Sequence, residues 1–253
     1  MREITFFLPN MRWLERRGLR VLMYHKVSLK TGDALTVTVD QLKKQMEWLR
    51  AEEFKFITCA ALLTALETGQ AISPRAVLVT FDDAYLDNYE LALPLLRQLG
   101  VPATIFVPTD YIGKTSSWDG AAASPLMSIE QLHATASEGF ELGLHSHRHA
   151  SYGELTAEEL AQDVRACNAT MRDLGLPYVS ALAYPYGKRP KTTAGKNAMI
   201  DAFREAGVKA AFRIGNRINP LPLRDRHEIH RLGVRGDESM AFFRRKMKWG
   251  RWF

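Results

Sequence analysis

Strand-like and helix-like patterns alternate along nearly the whole chain, and this alternation limits the possible folds more than any other feature. The strand candidates are RVLMYH (20–25), KFIT (55–58), AVLVTF (76–81), VPATIFVPT (101–109), FELGLH (140–145), VSALAY (179–184), VKAAFRI (208–214) and EIHRLGV (228–234). Helical stretches separate them. Leu42, Met46 and Leu49 share one face of 39–54, and Leu160, Val164, Cys167, Met171 and Leu174 form one stripe on 156–175. Ser128 with Gln131, and Thr156 with Glu159, have capping-box spacing. Thr58 is placed to cap 59–69, and Gly69 and Gly139 read as stop signals. The stretches 196–207 and 238–249 complete the helices. About eight strand–helix alternations predict parallel strands joined by helical crossovers. The 253 residues suit one closed barrel, since barrels of this kind run to about 250 residues. The longest irregular stretch, 108–128, is expected to form a loop over an active site.

Composition narrows the class. Hydrophobic residues at 46% and charged residues at 25% describe a globular chain with a sizeable core. No apolar run approaches the roughly 20 residues of a membrane-spanning helix, and the start, MREITFFLPN, lacks the apolar core of a secretory signal. A cytoplasmic protein is expected. Cys59 and Cys167 fall in apolar helical patterns and read as core thiols. The net charge of +6 is uneven, and the tail FFRRKMKWGRWF mixes Arg and Lys with Phe and Trp. Such a tail suits the membrane inner face or an anionic polymer. The plainer reading, which we favour, is a last helix that packs its aromatics on the body and turns its charges to water. Charge alone suggests nucleic-acid binding only weakly, no recognition motif supports it, and no nucleic-acid partner is expected.

In parallel α/β folds, chemistry gathers at the carboxyl ends of the strands. Those ends here carry His25, Asp82–Asp83, the run HSHRH (145–149), the turn Pro185–Tyr186–Gly187, and His230–Arg231. Two adjacent carboxylates at a buried rim repel each other unless a cation joins them. A metal supplies that cation, with one Asp as ligand and the other accepting a proton from water. The histidine run is the natural source of further ligands. His145 pairs with His149 if the chain turns helically, or with His147 if it stays extended. Asp83, ahead of a helical stretch, would also suit a helix N-cap.

The set TFDD (80–83), HSHRH and YPYG (184–187), in this order, resembles the polysaccharide deacetylase family, the NodB-homology domain of carbohydrate esterases. The likeness runs from VLMYHKV (21–27) to HRLGV (230–234). It implies a single-domain, distorted (β/α) barrel of seven to eight strands at 19–236, with an N-terminal extension at 1–18 and the basic aromatic tail at 237–253. It implies a metal-dependent hydrolase that removes N-acetyl groups from a carbohydrate and releases acetate. Asp82 takes the role of general base, and Asp83, His145 and His149 become the metal ligands. The Tyr186 N–H becomes an oxyanion donor, in a turn shaped by Pro185 and Gly187. The implied metal is Zn2+, with Co2+, Ni2+ or Fe2+ as substitutes.

One family position departs. An Arg normally stands two residues before the turn proline, and here that position is Ala183. Arg231 is proposed to replace it beside Asp82, the alternative being a solvent-facing strand residue. His230 is the candidate general acid. His25, Trp118, Pro185 and Arg231 are the candidate substrate contacts, with Asp119 a further hydrogen-bonding group beside Trp118. The competing functions are hydrolysis of another non-peptide C–N bond and a catalytically silent carbohydrate-binding homologue. The expected partner is a carbohydrate, with possible contact to a lipid-linked glycan at the inner membrane face.

Overall fold

The computed structural model describes residues 15–250. Its strands are β1 (Arg20–Tyr24), β2 (Lys26–Ser28), β3 (Thr36–Thr38), β4 (Lys55–Phe56), β5 (Ala76–Phe81), β6 (Thr104–Val107), β7 (Glu141–Leu144), β8 (Ala181–Ala183), β9 (Ala210–Ile214) and β10 (Ile229–Gly233). Its helices are α1 (Val39–Ala51), α2 (Cys59–Thr68), α3 (Leu93–Leu99), α4 (Ile129–Ser137), α5 (Ala157–Asp173), α6 (Thr193–Glu205) and α7 (Met240–Trp249).

The strands run in the order β1-β10-β9-β8-β7-β6-β5, and β5 pairs back onto β1 to close a seven-stranded parallel barrel. β4 adds to β5 as an eighth strand: it meets Ala76 and Val77, whereas β6 meets Thr80 and Phe81. β5 therefore sits at the seam of the distortion. β2 and β3 form a separate two-stranded parallel pair, a feature the sequence patterns do not reveal.

Side chains alternate along each strand with period two. The outward set, including Leu22, Val77, Val79, Ile105, Leu142 and Leu182, packs with Leu42, Met46, Leu160 and Phe203 from the helices. The inward set, including Val21, Leu78, Phe106, Ala181, Ala183, Ala210 and Phe212, fills the barrel. Several inward residues are small because the aromatics need the room: a Cβ on Gly143 would lie 2.6 Å from the Phe106 ring.

The helix boundaries follow local chemistry. Thr38, Ser128 and Thr156 all form reciprocal capping boxes, with Gln41, Gln131 and Glu159. Thr58 caps α2, and Gly69 ends it in the left-handed region. α6 begins at Thr193, three residues before its apolar pattern suggests, because Thr192 caps it. The α5 stripe holds except at Leu174, which lies past the last turn and is exposed. Both cysteines are buried and free. α7 packs Phe243 edge-on against Trp48 at 6.0 Å and exposes Arg244 and Arg245, as the plainer reading of the tail expects. Lys246 departs from it, being buried and bonded to the Gly233 carbonyl and Glu238. Residues 1–14 of the expected extension, and Arg251, Trp252 and Phe253 of the tail, lie outside the described residues. No helix among the described residues is long and apolar enough to cross a membrane.

Candidate active site

Strand alternation also delivers the site. On β1 the inward parity runs through Val21 and Met23 to His25, and on β5 through Leu78 and Thr80 to Asp82. On β7 it runs through Gly143 to His145, and on β9 through Phe212 to Ile214. These rim residues meet in a cavity of ≈ 220 Å³ together with Asp83, Trp118, His149 and Tyr186.

Beyond β5 the backbone turns sharply. Asp83 and Ala84 both adopt positive φ, 74° and 54°. Each such non-glycine residue costs roughly 1 kcal/mol. The turn is held by the Asp82 N–H donating to the Tyr24 carbonyl (3.0 Å) and by the Ala84 carbonyl accepting from Met127 (2.9 Å). It carries Asp83 off the strand's alternation and towards the histidines, so Asp83 is not a helix cap. The next helical turn opens only at Leu86.

Asp83 Oδ1 lies 3.2 Å from His145 Nε2 and 3.1 Å from His149 Nε2. The three ligand atoms fall within 4.8 Å of one another, and all three residues are buried. Asp83 Oδ1 has no hydrogen-bond partner despite its burial, as expected of an oxygen kept for a cation. His145 Nδ1 bonds the Ala183 carbonyl at 2.8 Å, which leaves Nε2 with its lone pair facing Asp83. The donor set of one carboxylate and two imidazoles fits a divalent metal with open positions. Burial alone would raise the Asp83 carboxyl, but His145 and His149 hold it well below the ordinary carboxylate range.

The spacing question in HSHRH is settled by the backbone. Ser146 and His149 take positive φ, and His149 returns to the site. His147 turns away, its Nδ1 2.9 Å from Thr109 Oγ1. Asp163 fixes this loop from inside α5, accepting from the His147 and Arg148 N–H groups at 3.0 and 3.1 Å and from the Tyr152 hydroxyl at 2.9 Å. The sequence reading missed Asp163, although an acid at that position falls on the apolar face with Leu160 and Cys167 and is buried there.

Asp82 is the second carboxylate. Arg231 reaches it through the barrel, Nη1 donating to Oδ1 at 2.5 Å and Nη2 to Oδ2 at 2.7 Å. Burial would raise the Asp82 carboxyl, but Arg231, His145 and His25 outweigh it and hold the group below its ordinary value. Arg231 thus stands where the expected replacement for the missing Arg should be, with Ala183 small and inward on the neighbouring wall. It is fully buried behind Asp82, so it is neither a solvent-facing residue nor a substrate contact.

Two further expectations change. His230 is next to Arg231 on a strand, so the inward Arg231 sends His230 outward. There it packs against Gly215 and lines a separate cavity with Arg217 and Glu228; it is not in the site and cannot be its acid. Pro185 is buried behind its turn and does not line the cavity; the residue of this turn that does is Tyr186, with φ 57°. Trp118 does line the cavity, but one ring face stacks on His149 at 3.9 Å, and Tyr186 meets the same imidazole edge-on at 4.8 Å. Asp119 is held by the Tyr85 hydroxyl (2.7 Å) and by Ser116 Oγ (2.8 Å).

His25 is the remaining imidazole at the rim, with Nε2 3.9 Å from Asp82 Oδ2. Its segment is clamped from a π-helical turn, Asn88–Ala92. Asn88 Nδ2 donates to the His25 carbonyl at 2.7 Å, and Asp87 Oδ1 accepts from the Val27 N–H at 3.1 Å. Burial raises Asp87 to about 7.

Comparison with known proteins agrees with this geometry. The family model for polysaccharide deacetylase matches residues 69–211, more than half of the chain. A poly-beta-1,6-N-acetyl-D-glucosamine N-deacetylase of Staphylococcus epidermidis is 26% identical over 250 residues, covering 88% of this chain and 81% of that one. Among solved structures, IcaB from Ammonifex degensii superposes with a TM-score of 0.77 at 22% identity, covering 93% of this chain and 97% of that one. The Streptococcus pyogenes deacetylase PplD, solved in complex with acetate, gives 0.74 at 19% identity over 91% and 98%. With the TFDD carboxylates, the two histidines and the closed barrel in place, the chain belongs to the polysaccharide deacetylase family, hydrolases of the N-acetyl groups of carbohydrates.

Proposed function

We propose that this chain removes the acetyl group from N-acetylglucosamine units of a polysaccharide, with Asp82 as base and His25, in place of His230, as acid. The observation that carries the reading is the pairing of two adjacent carboxylates with different partners: Asp83 faces two imidazoles, and Asp82 faces Arg231. One carboxylate is a ligand and the other is left for proton transfer. The sugar unit comes from the relative in Staphylococcus epidermidis, whose name states it.

Asp83, His145 and His149 would hold the metal, with Zn2+ the first choice for a site of this donor set. When bound, the metal supplies Lewis acidity for the attacking water and the acetyl oxygen. The chain's own residues do the rest. Asp82 Oδ2, the oxygen facing His25 and His145, accepts the proton of the attacking water. Arg231 keeps that carboxylate ionised and fixed in direction. The Tyr186 N–H, presented by its left-handed turn, donates to the developing oxyanion. His25 gives a proton to the departing amine, and acetate leaves. Trp118 and Tyr186 pack the His149 ring from two sides and hold it in place.

The test is acetate release from N-acetylglucosamine oligosaccharides by zinc-loaded and chelator-treated protein. Release that needs the metal is expected. If acetate appears equally after chelation, or never appears with metal bound, the reading is wrong.

A further inference from the structure

The active cavity is small, below the ~300 Å³ at which pockets for drug-sized ligands begin, so the neighbouring sugars of a polymer must lie beyond its walls. One wall is shared with a second cavity of ≈ 520 Å³. Two pairs of chain neighbours form that wall. Tyr186 lines the active cavity and Gly187 the second; Ile214 lines the active cavity and Arg213 the second. The wall is tightly built, since a Cβ on Gly187 would lie 2.7 Å from Ile214.

The second cavity is strongly basic. Lys188, Arg189, Lys191 and Arg213 line it, against one acid, Glu154. Glu154 pairs with Lys188 at 2.9 Å, but both are exposed, and such pairs contribute little. Arg189 and Arg213 share one carboxylate, Glu228, in a half-buried cluster that fixes both guanidinium groups beside the wall. Arg213 Nε is buried without a hydrogen-bond partner. No ion pair or hydrogen bond engages the Lys191 ammonium among the described residues, and it is exposed. Oriented cations in a concave site concentrate anions and form charge-assisted hydrogen bonds with them.

We propose that this cavity is a subsite for an anionic group, carboxylate or phosphate, on the sugar next to the one deacetylated. The inference rests on the deacetylase reading and adds the class of glycan: N-acetylated units beside acidic ones. The same field disfavours a neighbour whose amine is already free and protonated.

Binding tests this separately from catalysis. The probes are an oligosaccharide alternating N-acetylglucosamine with glucuronic acid, its carboxyl-reduced neutral counterpart, and the neutral chain carrying a 6-phosphate. Calorimetry with the metal-loaded chain should show the acidic or phosphorylated probe binding roughly tenfold tighter than the neutral one, the size one charge-assisted hydrogen bond supports. The gap should close in the double variant Lys188→Gln, Lys191→Gln, and as salt rises. Arg213→Gln should narrow it as well. Equal binding of all three probes, or a gap that survives both the substitutions and the salt, overturns the proposal. Acetate release from the same probes is read separately: none from any probe, with the binding gap present, contradicts the deacetylase reading and leaves the subsite standing.

Discussion

Asp82 and Arg231 meet inside the barrel through two hydrogen bonds, and the consequence can be worked out in sign. The folded-state pKa of Asp82 lies below its unfolded value. The pair therefore adds stability above the ordinary carboxylate range, and that stability is lost as pH falls through the folded-state pKa. Arg231→Met leaves a buried carboxylate without its guanidinium partner, which should cost roughly 3–5 kcal/mol at neutral pH. The carboxyl of the variant then protonates early, so its deficit against wild type should shrink as pH falls from about 7 to about 4. Urea unfolding of metal-free protein reads this, and a constant deficit would argue against it. In the same variant the acid limb of the rate profile should move to higher pH. A second residue-scale prediction separates the two acid candidates. His25→Gln should slow amide hydrolysis by about 10²–10⁴, yet slow an aryl acetate, whose leaving group needs no proton, far less. His230→Gln should leave both rates near wild type; a large loss there would restore His230 to the site. At this scale Asp82, Asp83 and the three histidines stood out in the sequence because like charges and imidazoles at strand ends are costly without a purpose. The choice between His230 and Arg231 was not legible. It turns on which strand parity faces the barrel, and a strand buried on both faces gives no alternation to read.

The elements carry the site through their ends, and those ends depend on buried polar contacts. Asp163 on α5 holds the loop that brings His149 back to Asp83. Asp163→Ala should weaken metal affinity about 10- to 100-fold, as loss of outer partners does elsewhere, with the barrel still folded by circular dichroism. Metal titration checks it; unchanged affinity would show that the loop needs no such anchor. The helices were readable because caps and apolar stripes are local signals: Thr58, Ser128 and Thr156 act where their spacing places them. The π-helical clamp at Asn88 and the β2–β3 pair were not readable, since both are set by contacts more than 8 residues away in sequence, such as Lys26 with Thr36 and Asn88 with His25.

At the scale of the whole molecule, closure of the barrel is what makes a single rim. β1 and β10, more than 200 residues apart in sequence, pair in parallel, and Arg20 fastens that junction. Its guanidinium donates to the Met247, Gly18, Pro74 and Arg16 carbonyls from inside the protein. Burial, then the nearby Arg75, lower its pKa to about 10, so it stays charged at neutral pH. Arg20→Met strands two buried carbonyls, those of Met247 and Gly18, at roughly 1–3 kcal/mol each. The melting temperature should fall by about 4–24 °C while KM stays near wild type, because the junction lies away from the cavity. The central claim is that the two adjacent aspartates divide the work, Asp83 holding the metal and Asp82 moving the proton. The most direct measurement is paired: zinc content and acetate release in Asp82→Asn and in Asp83→Asn. The account predicts that Asp82→Asn keeps its zinc and loses acetate release, whereas Asp83→Asn loses both. Zinc lost from Asp82→Asn, or acetate still released by it at the wild-type rate, would contradict the account.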